Sequence, residues 1–147
     1  MKRPNRNASG INLVARALIA ADWHKAKLEA QIHAMIGNDS FNLVQTSGKT
    51  FWVVLGAANA QNMDPETPDM RILRGAVNAM AEQAGQPEVS EAHRAGILSG
   101  LQACQRIIPD LTQRNINDAA VALTAALAKP QGAVTFGDFL NLAKGRT

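Results

Sequence analysis

The residue pattern closest to a known chemical motif lies at 45–50, where Gly48, Lys49 and Thr50 match the last three residues of a phosphate-binding P-loop. Such a loop needs a second glycine five positions earlier, because its backbone amides must wrap the phosphates without side chains in the way. That position is Leu43, and no later apolar strand ends in an aspartate that would help to hold magnesium. We therefore interpret the segment as an ordinary turn and predict no nucleotide site.

The three histidines, His24, His33 and His93, do not form a recognisable metal site. His24 and His33 are nine residues apart, which places them on opposite sides of one helix. His33 and Glu29 are one turn apart, and the simplest interpretation is a polar pair on a solvent-exposed face, because structural zinc usually has four ligands. His93 precedes the apolar residue Ile97 by one turn, and its sequence neighbours supply no partner. We predict no metal and no cofactor.

Nucleophilic and calcium-binding chemistry has equally little support. Cys104 lies between Leu101 and Ile108 on one helical face, where burial raises the pKa of a thiol and makes it inert. No Gly-x-Ser-x-Gly nucleophile elbow occurs in the chain. The acidic residues at 64, 66 and 69 lack the spacing of a calcium loop, and Asp69 suits the first turn of a helix. The sequence favours a non-enzymatic protein, while leaving open a site that assembles only in three dimensions.

A stripe of small residues, Ala92, Gly96 and Gly100, lies on one face of a predicted helix. Each glycine in a helix interior costs about 1 kcal/mol relative to alanine, so the close approach of another helix should offset the loss. We predict that this stripe packs against a helix of the same chain. A dimer face, by analogy with the membrane Gly-x-x-x-Gly motif, is the alternative.

Basic residues form two groups that could contact phosphates: Lys2, Arg3 and Arg6 near the N-terminus, and Arg71 with Arg74 on a predicted helix. The net charge of +3 is unevenly distributed, with the excess of positive charge in the first 50 residues. A mildly positive end can meet nucleic acid or an acidic protein surface. No helix-turn-helix spacing and no aromatic platform for single strands is evident.

Bulk composition indicates one helical domain. The chain of 147 residues is 46% hydrophobic and 18% charged, values typical of a globular protein, and its single cysteine excludes an internal disulfide. Small residues dominate the predicted helical faces, with only four phenylalanines, two tryptophans and no tyrosine in the chain. Residues 1–10 are predicted to be a flexible basic arm, because proline, asparagine and glycine there disfavour regular structure. Residues 11–147 are predicted to be a single helical domain.

The apolar spacing predicts five or six helices in an all-α, bundle-like arrangement. The first is expected over 11–36, with a core-facing seam of alternating three- and four-residue steps that Lys25 interrupts. The remaining boundaries follow from capping signals. These helices are expected at about 50–62, from Pro68 to Gly85 with Thr67 as the N-cap, from Ser90 to Pro109, at 115–129, and from Thr135 onwards. The seam of the first helix comprises Ile11, Val14, Leu18, Ala21, Leu28, Ile32 and Met35.

The segment 41–55 is ambiguous, because short apolar runs suit both strands and helices. Phe41, Leu43 and Gln45 alternate with polar residues, so a short β-hairpin with the run Phe51–Leu55 is one alternative. We prefer a loop followed by a helix from about residue 50.

These observations predict a small non-enzymatic helical protein that acts by binding another macromolecule, in the first instance a protein, as an adaptor, inhibitor or accessory factor. The alternative is a nucleic-acid-binding regulator that uses the basic arm and the first helix. No apolar run is long enough to span a membrane and no signal peptide is recognisable, so a cytoplasmic protein is expected. A homo-oligomer is left open.

Overall fold

The computed structural model describes residues 13–37 and 39–127, and in this part of the chain the architecture is all-α. Five α-helices and one short 3-10 helix follow one another without a strand. The α-helices are α1 (Leu13–Ile36), α2 (Ser40–Ala60), α3 (Pro68–Gln83), α4 (Glu91–Ile107) and α5 (Gln113–Leu127), and the 3-10 turn Ile108–Asp110 follows α4. The predicted arm at 1–10 and the predicted helix from Thr135 lie outside the described residues.

Helix α2 is the centre of the domain and packs against each of the other four α-helices. The apolar side chains in its second half are mostly buried, including Phe51, Val53, Val54 and Leu55, whereas Phe41 near its start is exposed. The pairs α1–α2 and α3–α4 are joined by short connections, and α5 packs across α1 and α2. The core therefore lies around α2, which explains why this helix is apolar on almost every side.

The prediction of a hairpin at 41–55, and our preferred loop before residue 50, are both wrong. Residues 40–60 form one continuous helix, which begins because the Asp39 carboxylate accepts a hydrogen bond from the backbone N–H of Asn42. The hydroxyls of Thr46 and Thr50 donate to backbone carbonyls one turn earlier, so both side chains are satisfied within the helix. Within 41–45 the helix has an exposed side with Phe41 and Gln45 and a buried side with Leu43, so the alternation did not indicate a strand.

The ends of α2 and α3 follow capping chemistry. Asn62 adopts a positive φ of 57° after α2, the conformation that ends helices most often at glycine, and the Met63 N–H returns to the Ala58 carbonyl. Thr67 is the N-cap of α3 with Pro68 at its first position, as predicted, although the Thr67 hydroxyl donates to the Asp64 carbonyl and not to the helix. Gly85 follows α3 with φ of 83°.

The start of α5 is fixed by the side chain of Gln61, the residue that follows α2. The Gln61 amide donates to the Asp110 carbonyl at 3.0 Å and accepts from the Thr112 N–H at 2.7 Å. The Thr112 hydroxyl in turn accepts from the Asn115 N–H in the first turn of α5. Farther along, Gly56 on α2 lies against Ala119 on α5. Helix α5 therefore starts at the C-terminal end of α2 and runs antiparallel to it.

Within the described residues, no helix is both long and apolar enough to cross a membrane.

Candidate functional site: the outer face of the first helix

The most unusual surface of the described chain is the apolar side of α1. Four large side chains on this helix, Leu28, Ile32, Met35 and Ile36, are 60%, 49%, 65% and 75% exposed. Their spacing places them on one side of the helix over about two turns. We call these four residues the α1 outer face. A contiguous apolar patch of this kind on a protein surface usually marks an interaction site.

At residue 21 and over residues 23–36, where the structure describes the side chains, the seam predicted for α1 was therefore assigned to the wrong side of the helix. Leu28, Ile32 and Met35, which were expected to face the core, point to solvent. The buried side consists of one large and three small residues, Trp23, Ala26, Ala30 and Ala34, with between none and 5% of their surface exposed. Alanines let α1 approach the rest of the domain closely, and Trp23 fills the remaining space, with the Lys27 ammonium 4.6 Å from its ring.

Lys25 interrupts the predicted apolar seam because this side of α1 faces solvent and not the core. Its side chain is exposed, and α1 continues through it to Ile36 without a break. A lysine on an outer face remains hydrated and costs nothing in burial.

Phe41, the second residue of α2, is a further exposed apolar side chain near the turn between α1 and α2. It is 69% exposed and lies five residues after Ile36. Phe41 also lines an open cavity of about 360 Å³, together with Val44, Ala84 and three polar or small residues, Ser40, Gly85 and Gln86. A cavity of this size and lining suits an apolar side chain presented by a partner. The Phe41 cavity therefore opens at the corner of the domain where α2 begins after α1.

Arg94 on α4 fixes the C-terminal end of α1 at this corner. Its guanidinium donates to the backbone carbonyls of His33 and Ala34 at 3.2 Å and to that of Gly37 at 2.6 Å. The same side chain lies 3.3 Å from the Glu91 carboxylate and is 13% exposed. Carbonyls at a helix C-terminus have no partner within the helix and carry partial negative charge, so a cation there stabilises the end of α1. The C-terminal end of the outer face is thus tied to α4.

The buried side chain of Gln83 organises the floor beside the cavity. Its amide nitrogen donates to the Ser40 hydroxyl and to the Glu88 carbonyl, both at 2.8 Å. Its amide oxygen accepts from the Ser90 N–H and contacts Nδ1 of His93, both at 3.0 Å. All four hydrogen-bonding positions of the amide are used, so this fully buried group is satisfied. The network joins the starts of α2 and α4 to the end of α3.

Sequence neighbours of His93 gave no partner, but the tertiary structure supplies two. Nε2 of His93 lies 3.2 Å from the Glu82 carboxylate, and Nδ1 lies on the Gln83 amide oxygen. Both partners come from the last turn of α3, across the interface with α4. His93 is therefore part of the helix-packing network.

No protein-family model, no curated protein and no solved structure matches this chain. The α1 outer face is therefore identified from its geometry alone.

The glycine stripe on α4 lies at the interface with α3. A Cβ at Gly96 would be 3.0 Å from Cβ of Ala79, and one at Gly100 would overlap Cβ of Ala76. Ala92, at the start of the stripe, is exposed. Close approach of α3 therefore accounts for both glycines.

Arg71 and Arg74 are engaged with the turn that precedes α3. Arg71 lies 3.8 Å from the Glu66 carboxylate, and Arg74 lies 3.3 Å from the same group and donates to the Pro65 carbonyl at 2.8 Å. Glu66 thus reduces the positive charge that both side chains could offer to a phosphate. Lys2, Arg3 and Arg6 lie outside the described residues, so the structure does not place them beside this pair.

The other residues considered for chemistry in the sequence do not form a site in the described part of the chain. Gly48 and Lys49 lie inside α2, where the backbone amides are used by the helix and cannot wrap a phosphate, so the predicted turn at 45–50 is also wrong. Cys104 is buried, and desolvation raises the pKa of its thiol far above the usual range. Across the described ranges, no three potential ligands come close enough together to hold a metal ion.

The α1 outer face could only partly have been found from the sequence. Its seam was visible, but the alanine face at 26, 30 and 34 has the same helical spacing and competes for the core. Ile36 and Phe41 were not recognised, because the chain around them was expected to be a cap and a loop. The available signal was the presence of two apolar faces on one helix, because only one of them can pack against the core and the other stays exposed.

Proposed function

We propose that this protein is a non-enzymatic helical module that binds a helix of another protein through the α1 outer face. The observation that carries the proposal is the exposure of four large apolar side chains on a helix whose other side is already packed. Exposed apolar area of this kind is removed from water when a partner docks, with a gain of roughly 25 cal/mol per Å².

The shape of the surface favours a helix as the docked element. The outer face repeats apolar side chains in the three- and four-residue steps that pack against a second helix in a coiled-coil-like manner. Phe41 and the adjacent cavity lie beyond its end, where one further anchoring side chain of the partner would insert. Lys25, exposed on the same side, favours an acidic residue in the partner.

The proposal is tested by photocrosslinking in cells of the native host. A photoreactive phenylalanine analogue at position 32 of the full chain should give a discrete adduct with a different polypeptide. The same analogue at Ile72, an exposed apolar residue on α3, is the matched control and should not give that adduct. Introducing Leu28→Glu into the position-32 variant should abolish the adduct. An adduct that persists with Leu28→Glu, or that forms equally from position 72, would contradict the proposal.

The nucleic-acid alternative uses the basic arm and the first helix, and its second basic group is weakened because Glu66 pairs with both Arg71 and Arg74. It is tested by fluorescence anisotropy of labelled duplex DNA at two salt concentrations, with the full chain, with a variant lacking residues 1–10 and with an Arg71→Ala, Arg74→Ala variant. Binding that weakens about tenfold or more between roughly 50 and 200 mM salt, and that either variant reduces, would support it over protein binding.

A further inference from the structure

The α1 outer face has an identifiable candidate occupant in the free protein, which is a second copy of the same helix. We infer that two chains associate through their α1 outer faces in an antiparallel, two-fold symmetric pair. This inference rests on the same exposed face as the proposed function and names the helix that covers that face in the free protein.

Spacing supports a second α1 because the face is complementary to itself. In an antiparallel pair centred between Leu28 and Ile32, Leu28 of each chain lies beside Ile32 of the other. The same alternation of three- and four-residue steps then runs along both helices, which is the condition for side chains to interdigitate across the seam. A two-fold axis uses the same patch twice, so no second surface has to be found.

Charge selects the antiparallel direction. Lys25 is exposed on the line of the outer face, one turn before Leu28. In a parallel pair, the two Lys25 ammonium groups would meet and repel each other. In the antiparallel pair, the two Lys25 ammonium groups lie at opposite ends of the seam, each beside Met35 of the other chain, and do not meet.

The exposed area is sufficient for a weak pair. The four side chains of the outer face are each about half exposed or more. Together they expose roughly a few hundred Å², and the polar rim around them adds to this area towards the roughly 800 Å² per partner of a standard interface. We expect a dimer with a dissociation constant in the micromolar range.

Sedimentation equilibrium of the full chain tests the pairing. Between about 5 and about 200 µM, the average mass should rise from 15.7 kDa towards twice that value. Ile32→Glu should weaken association about tenfold or more, because it places a charge at the centre of the seam. The matched control, Ile72→Glu, changes an exposed apolar residue on α3 and should leave the dissociation constant unchanged.

Disulfide trapping tests the direction in a Cys104→Ala background. Mixing a Lys25→Cys chain with a Met35→Cys chain should give the mixed disulfide, whereas a parallel pair would give the two homodisulfides. The inference is overturned if the protein is monomeric throughout this range, if Ile32→Glu leaves the dimer intact, or if the homodisulfides dominate. It is also overturned if the full chain is monomeric and position 32 crosslinks to residues 128–147 of the same chain.

The proposed function fails independently of this result. A monomer whose position 32 still crosslinks to a different polypeptide would retain the proposed function and lose the dimer. A dimer without any such adduct would retain the pairing and lose the proposed function.

Discussion

Gly100 of α4 packs directly against Ala76 of α3, so closely that a Cβ at position 100 would overlap Cβ of Ala76. The same Cβ would also lie 3.1 Å from Cζ of Phe51 on α2. Three helices therefore meet at one glycine, and the distance between α3 and α4 is set by the absence of a side chain there.

Gly100→Ala should destabilise the protein by about 1–3 kcal/mol in spite of the better helix propensity of alanine, because the new methyl has to displace the α3 backbone. Adding Ala76→Gly should recover part of this loss by returning the space. The measurement is the free energy of unfolding from urea denaturation of each variant.

The matched control is Gly75→Ala, one position away from Ala76 on α3. A Cβ at Gly75 meets nothing within 4 Å. This change should raise the free energy of unfolding by up to about 1 kcal/mol, through helix propensity alone. Equal effects of the two glycine substitutions would show that packing at Gly100 is not tight.

Gln83→Leu should cost about 2–4 kcal/mol, because it keeps the volume but leaves the Ser90 N–H and the Glu88 carbonyl without their buried partner. Thermal and urea unfolding measure the loss. Gln102→Leu, at an exposed position of α4, is the control and should change stability by less than about 0.5 kcal/mol. A small effect of Gln83→Leu would mean that water replaces the amide.

Arg94→Ala should destabilise the protein by about 2 kcal/mol and free the C-terminal end of α1, since three backbone carbonyls lose a charged donor. Arg94→Lys should recover only part of this stability, because an ammonium cannot span the carbonyls of His33, Ala34 and Gly37 in the same planar geometry.

Amide hydrogen exchange identifies the effect of Arg94→Ala, because exchange should accelerate in the last turn of α1 more than in α5. Arg114→Ala, on the exposed side of α5, is the control and should leave α1 unchanged. Uniform acceleration across the domain would contradict a local role for Arg94.

The Cys104 thiol should be unreactive towards a thiol reagent in the native protein. Burial raises the pKa of this thiol, with Lys27 opposing the shift more weakly, so the native group stays protonated at pH values where an unfolded cysteine ionises. Ionisation of Cys104 therefore leaves the free energy of unfolding unchanged below the ordinary cysteine pKa. Above that pH the free energy of unfolding falls, because only the unfolded thiol ionises.

Labelling kinetics measure this protection. Ser99→Cys in a Cys104→Ala background places a thiol at an exposed position of the same helix and should react at the rate of a free cysteine. Native Cys104 should react only as fast as the protein opens, and Gly100→Ala should accelerate the reaction. Rapid labelling of Cys104 in the stable protein would contradict its burial.

The sequence was informative where the local signal was unambiguous. Pro68 and the residues around it predicted the start of α3, Ser90 predicted the start of α4, and Gly85 predicted the break between them. These features depend on contacts within one turn of helix, so they can be read from neighbouring residues. The start of α2 was missed because Asp39 was overlooked as a cap, and polar residues at 45–50 were interpreted as a turn.

The sequence by itself determined that this chain is helical and that α1 carries two apolar faces, one large and one small. Only the tertiary structure decided which face is buried. The alanines at 26, 30 and 34 allow α1 to approach α2 closely, whereas Leu28, Ile32 and Met35 would hold the helices apart. That choice depends on the shape of the opposing helices, which local spacing does not encode, and it leaves the larger face exposed as the candidate binding surface.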